Sequence, residues 1–184
     1  MASAARWIRS GPAGQYDLHA ACGGLALARC APRLPIVLWA RASAIVIGDV
    51  FRIEEGHFAF ALIVPVSLAP GRRSRWRAWG LAPALSAYRH FGMRAYLDDD
   101  AIWLNGRRIG ESSARTIGDC AVMASSFLPR PTGSRVDWPE RDLESVFRAR
   151  IEAQHAWEFE NSWPSDCERG AIADALAVEE ADAQ

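Results

Sequence analysis

Asp98-Asp99-Asp100-Ala101-Ile102-Trp103-Leu104-Asn105-Gly106-Arg107-Arg108-Ile109-Gly110-Glu111-Ser112 is the stretch from which the fold can be read. Both central residues of a two-residue type I′ turn need positive φ, and Asn105-Gly106 is the dipeptide that meets this need at least cost. The segment reads as two short strands, Ala101 to Leu104 and Arg107 to Ala114, joined by a tight turn. Arg107 and Arg108 follow the turn, and all 21 basic residues of the chain are arginine. Abundant alanine fits a GC-rich coding bias as well as it fits selection, so arginine at any one position says little by itself.

Strands at Ala95 to Leu97 and Cys120 to Leu128 flank this hairpin, and the apolar run Phe58 to Val66 reads as a buried central strand. Leu18, Cys22 and Leu25 fall at helical spacing over Gln15 to Cys30, with Gly23-Gly24 permitting close packing. A second helix runs from about Trp76 to Phe91, with Leu81, Leu85 and Tyr88 on one face. Pro129-Arg130-Pro131-Thr132-Gly133-Ser134 is a linker to a helical tail. Asp137 with Glu140 forms a capping-box pattern before the stripe Leu143, Val146, Phe147 and Ile151. Ser165 with Glu168 repeats it before Ile172, Ala175 and Leu176, and the acidic end reads as a frayed terminus. The expected organisation is an α+β part over residues 1–130 and a helical extension over residues 131–184 packed back on it.

At 184 residues the chain is long enough for one well-buried core, and a net charge of -1 argues against a dedicated polyanion binder. Cys22, Cys30, Cys120 and Cys167 make no Cys-x-x-Cys pair and no zinc spacing with His19, His57, His90 or His155, so no metal site is expected. A reduced, cytoplasmic setting follows from that cysteine usage. No apolar run is long enough to span a bilayer, and Met1 to Gly14 has no signal-peptide core. Gly71-Arg72-Arg73-Ser74-Arg75-Trp76-Arg77-Ala78-Trp79 mixes basic and aromatic residues as single-strand nucleic-acid binders do. The acidic remainder of the chain offsets that patch, so it reads as a surface helix start with both tryptophans partly buried, and nucleic acid is not an expected partner.

The hairpin resembles the core motif of the biotin/lipoate protein ligase superfamily, which includes lipoate-protein ligase A, octanoyltransferases and the catalytic domain of biotin protein ligases. There an Asn-Asp-Ile strand leads through a turn to Gly-Lys-Lys-Ile-Ser-Gly-Ser-Ala. In register on the turn, Asp100 takes the Asn, Ala101 the Asp, Ile102 the Ile, Arg107-Arg108 the Lys-Lys pair, and Glu111 falls on a glycine. Arg6-Trp7-Ile8-Arg9-Ser10-Gly11-Pro12-Ala13, the helix after it, and Leu34 to Arg41 running into Ala44 to Gly48 look like the first ligase hairpin. The family's Arg-Arg-x-x-Gly-Gly-Gly-Ala loop has no counterpart, because Gly48 to Gly56 leads almost directly into His57 to Pro65. The resemblance implies a mixed sheet flanked by helices, with a C-terminal helical tail.

It also implies a chemistry. Ligases of this superfamily join a carboxylic acid to ATP and pass the acyl-adenylate to a lysine of a carrier domain, while octanoyltransferases use an acylated cysteine. The hairpin lysine stabilises negative charge as it develops. Arg108 stands at that place as the candidate catalytic cation, and Asp100, Asn105, Gly106, Arg107, Glu111 and His57 are the candidate substrate-binding residues. Guanidinium is a bidentate phosphate partner, yet larger and never deprotonated. Glu111, three residues on, is placed to draw it into an internal ion pair or to repel a phosphate. Asp98-Asp99-Asp100 as a magnesium site stands against a solvated strand edge, and Cys120 as an acyl nucleophile stands against a core thiol with no histidine beside it.

Two functions follow from the resemblance. One is a degenerate ligase-like domain that has lost catalysis and binds an acyl-adenylate or a carrier domain, in a regulatory role. The other is an active lipoyl or octanoyl transferase or ligase with Arg108 doing the lysine's work, which alone would call for ATP and magnesium. A lipoyl or biotinyl carrier domain, or a complementing ligase subunit, is the expected partner.

Overall fold

The computed structural model describes residues 2–9, 27–41, 58–98, 101–127 and 140–182. The expected helix from Gln15 as far as residue 26, the strand Ala44 to Gly48, the linker at 129–134, and Asp137, Asp100, His57 and Cys22 lie outside them. Eight strands form one mixed sheet: β1 (Ser3–Arg9), β2 (Ile36–Arg41), β3 (Phe58–Pro65), β4 (Tyr96–Asp98), β5 (Ala101–Leu104), β6 (Arg107–Ile117), β7 (Cys120–Phe127) and β8 (Trp157–Ser162). Their order is β4-β5-β6-β7-β3-β2-β1-β8. β1 runs parallel to both β2 and β8, and every other pairing is antiparallel. The helices are α1 (Trp76–His90), α2 (Glu140–His155) and α3 (Asp166–Asp182), and residues 27–29 are also helical. The fold is α+β, as expected.

Alternation along the strands divides the core in two. On the first face Trp7, Val37, Trp39, Phe60, Leu62, Val64, Ala121 and Met123 pack beneath α1 and α2. Leu143, Phe147 and Ile151 of the expected α2 stripe are fully buried there. Phe147 lies 4.5 Å from Phe60 and 5.0 Å from Trp39, ring centre to ring centre. Such aromatic pairs contribute about 0.5–1.5 kcal/mol beyond the area they bury. On the second face Ile8, Ile36, Leu38, Ala61, Ile63, Val122 and Ala124 pack against Leu27, Ala28 and Ile172 of α3.

α1 is buried on more than one side, at Trp76, Gly80, Leu81, Pro83, Ala84, Leu85, Ala87 and Tyr88, because it lies between the sheet and α2. Pro83 has no N–H to offer the carbonyl of Trp79 four residues earlier. The Gln154 side chain of α2 donates to that carbonyl at 3.4 Å.

The C-terminal tail is helical, as expected, and carries one strand between its two helices. Between α2 and α3, Trp157-Glu158-Phe159-Glu160-Asn161-Ser162 forms β8, which pairs with β1 from Ser3↔Trp157 to Ile8↔Ser162. Trp157 and Phe159 are buried while Glu158 and Glu160 are exposed, the two-residue period of an edge strand. Residues on both sides of the expected boundary at 130 therefore share one sheet. No helix among the described residues is long and apolar enough to cross a membrane.

Candidate functional site

The β5–β6 hairpin closes as its sequence requires, with φ of 51° at Asn105 and 73° at Gly106. Ile102 pairs with Gly110 but Trp103 pairs with Arg108, so Ile109 is an extra residue in β6, a β-bulge. In a regular strand residues three apart point to opposite faces. The bulge shifts the alternation by one, so Arg108, opposite Trp103, and Glu111, opposite Ala101, share the second face. There Arg108 Nη2 lies 2.6 Å from Glu111 Oε2. The Arg108 side chain is 55% exposed and that of Glu111 23%, so the pair sits at the rim with its carboxylate on the inner side.

The other candidate residues divide around this pair. Arg107, opposite Leu104, falls on the other face of the strand and is exposed. Asn105 and Gly106 form the exposed tip, where their backbone conformation is their evident contribution. Ala101 is 3% exposed and carries no carboxylate into the site. Along β6 from Glu111 the same face continues through small side chains, Ser113 and its cross-strand partner Ala124, both buried. Asp100 and His57 belong to the residues not described.

Cys120 pairs with Ile117 at the far end of β6, roughly 30 Å along the strand from Arg108 at about 3.3 Å per residue. It is buried, and burial followed by the charge of Asp119 pushes its thiol up. It is therefore a core thiol, remote from the hairpin. No group of three His, Cys, Asp or Glu side chains that could hold a metal occurs among the described residues. The cation that the hairpin would offer a nucleotide is already paired with a carboxylate, and Asp99 and Asp100 of the acidic triplet lie outside the described residues. A cavity of about 460 Å³ is lined by Arg73, Ser74, Arg77 and Ala114. Ala114 lies on the α1 side of the sheet, so this cavity is on the opposite face from Arg108. Arg72, Arg73, Arg75 and Arg77 are exposed while Trp76 is buried and Trp79 half-buried, the surface helix start expected of that segment.

Three polar constellations have no counterpart in the candidate residues. Arg6 of β1 forms a bidentate pair with Glu168 of α3, at 2.6 and 3.0 Å, and donates from Nε to Ser162 Oγ at 3.0 Å. Burial pushes the Glu168 carboxyl up, and the Arg6 and Ser165 hydrogen bonds more than offset this and hold it below its usual range. The Ser165–Glu168 capping box announced part of this arrangement, but nothing local announced Arg6. His155, at the end of α2, lies between Trp79 and Trp157 with ring centres at 4.2 and 4.6 Å, and its buried Nε2 has no hydrogen-bond partner among the described residues. Burial lowers its pKa to about 4. Cys30 and Cys167, 137 residues apart, bring their sulfurs to 3.7 Å.

No protein-family model matches the sequence, and no curated protein sequence does. Solved structures match the fold over nearly the whole chain. A Thermoplasma acidophilum protein with bound lipoic acid superposes with a TM-score of 0.78 at 9% identity, over 95% of both chains. The bipartite lipoate protein ligase of the same organism, from a study with its E2 lipoyl domain, gives 0.75 at 10% identity over 95% of this chain and 92% of that one. Lipoate-protein ligase A bound with ATP gives 0.69 at 9% identity, covering 95% and 94%. The chain therefore has the fold shared by lipoate and biotin protein ligases.

Proposed function

We propose that this chain is a divergent biotin/lipoate protein ligase-type domain that no longer activates or transfers an acyl group and acts as a binding partner, engaging an acyl-adenylate or a lipoyl or biotinyl carrier domain. The Arg108–Glu111 ion pair carries the reading. A cation that serves a developing oxyanion or a phosphate must be free to meet it. Here Arg108, the cation that stands in the lysine's place, is turned onto a carboxylate of its own strand, and the bulge at Ile109 puts it there. The buried Ala101 and the sequence-level loss of the glycine-rich loop point the same way. A cytoplasmic setting agrees with both.

The test is incubation of the purified protein with lipoate, octanoate or biotin, ATP, magnesium and an unmodified carrier domain. The expected result is no mass gain on the carrier, together with micromolar calorimetric binding of a non-hydrolysable acyl-adenylate analogue or of the carrier itself. A carrier modified in proportion to enzyme, and lost with Arg108→Ala, would establish the second reading, an active ligase or transferase. One observation favours that alternative: a pair this exposed is worth about 0–1 kcal/mol, little enough for a ligand phosphate to displace Glu111. The bipartite T. acidophilum ligase also makes a complementing polypeptide a reasonable partner to add to the assay.

A further inference from the structure

We infer that Cys30 and Cys167 are a reversible disulfide site that ties the segment entering β2 to the first turn of α3. Their sulfurs already lie 3.7 Å apart. A disulfide needs about 2.05 Å, so closure asks for a movement of about 1.7 Å, within reach of small side-chain rotations.

Both backbones are held in place. The Cys30 N–H donates to Leu27 O at 3.2 Å and the Ala31 N–H to Ala28 O at 3.1 Å. Cys167 lies inside the Ser165–Glu168 capping box, in which Ser165 N–H reaches Glu168 Oε2 at 2.7 Å and Glu168 N–H reaches Ser165 Oγ at 3.3 Å. Glu168 is anchored in turn to Arg6 of β1. Two chain segments 137 residues apart are thereby fixed with their thiols facing each other, while Cys120 is sealed in the core beneath the same face.

The two thiols differ in access. Cys167 is exposed and Cys30 is half-buried. Burial, the hydrogen bond and charge of Cys167, and the charge of Glu168 push the Cys30 thiol up to about 11. The first attack therefore falls to Cys167, and Cys30 resolves the product. With hydrogen peroxide as oxidant, Cys167 sulfur attacks one peroxide oxygen, the O–O bond breaks, and the departing hydroxide takes up the thiol proton to leave water and a sulfenic acid. Cys30 sulfur then attacks Cys167 sulfur, the S–O bond breaks, and the hydroxide released takes the Cys30 proton as a second water. Two thiols lose two electrons to one peroxide, and a dithiol reverses the change by exchange.

The bond would clasp α3 to the sheet face on which Ile172 packs against Ile8 and Ile36. A cross-link closing so long a loop constrains the unfolded chain strongly, and a rise in Tm of about 5–10 °C is expected. The experiment treats the full chain with stoichiometric hydrogen peroxide and maps tryptic peptides without reduction. Expected are a linked pair of Cys30–Arg33 with Ile151–Arg169, the Tm rise, and reversal of both by dithiothreitol. Cys30→Ser and Cys167→Ser should each abolish the linked peptide, and the oxidised and reduced wild-type chain supplies the comparison should either variant fold poorly. Over-oxidation of Cys167 without a linked peptide, a link made to Cys22 instead, or one Tm for both redox states would overturn the inference.

Discussion

Arg108 and Glu111 face each other at 2.6 Å because a single extra residue, Ile109, turns two side chains three apart onto one side of β6. Glu111→Gln keeps the shape and removes the charge that holds the guanidinium. The affinity for a lipoyl-adenylate analogue is expected to rise by up to about fivefold, or about 1 kcal/mol, the most that so exposed a pair can withhold. Stability should move by less than about 0.5 kcal/mol, since exposed pairs contribute little. Calorimetric titration of both proteins checks this, and equal affinities would place Arg108 off the ligand's path.

The Arg6–Glu168 pair should behave differently, because Glu168 is 4% exposed and answers to three groups at once. Glu168→Ala leaves the Arg6 guanidinium partly buried without its carboxylate and uncaps α3. A loss of about 3 kcal/mol is expected from urea unfolding. The folded carboxyl titrates below its unfolded value, so its contribution is complete above about pH 4.5 and is lost as pH falls through the folded pKa. In Glu168→Ala that part of the acid sensitivity should be missing; a variant as acid-sensitive as the wild type would assign the loss to other carboxylates.

Gly106 tests the turn alone. Its φ is 73° and nothing lies within 4 Å of where a Cβ would stand. Gly106→Ala is therefore expected to cost about 1–2 kcal/mol from backbone conformation with no steric contribution. Gly106→Asn should cost less, because asparagine tolerates the left-handed region. Thermal unfolding of the two variants decides it, and equal losses would mean the turn is strained by something other than φ.

What could be read in the sequence was local. Asn105-Gly106 sets its own turn, Ser165 and Glu168 set their own cap, and Phe58 to Pro65 is apolar enough to name itself a central strand. β8 has the alternation of a strand, but Trp157-Glu158-Phe159 is brief and lies between two helical patterns. Its partner β1 is some 150 residues away, and nothing near Trp157 announces it. The Ile109 bulge is equally silent, since it exists only in the pairing of two strands. The sequence put Glu111 near enough to pair with Arg108, as it does, but regular alternation would have set the two on opposite faces, and only the bulge turns them to one. Arg6 with Glu168 and Cys30 with Cys167 are likewise products of topology, each joining the N-terminal part of the chain to α3.

His155 gives the fold a second, separate dependence on acid. Held between Trp79 and Trp157, with Nε2 unpartnered among the described residues, it titrates at about 4 when folded, against about 6.5 in an unfolded chain. A lowered folded pKa means that the unfolded chain binds the proton first, so stability is full above pH 6.5 and falls as pH drops from there towards 4. One proton over about 2.5 pH units amounts to at most about 3 kcal/mol, with a slope of about 1.4 kcal/mol per unit. His155→Phe keeps a ring between the two tryptophans and removes the titration. Urea midpoints measured from pH 7.5 to 4.5, above most of the Glu168 window, should slope in the wild type and flatten in the variant. Parallel slopes would mean that Trp79 and Trp157 do not exclude water from the ring.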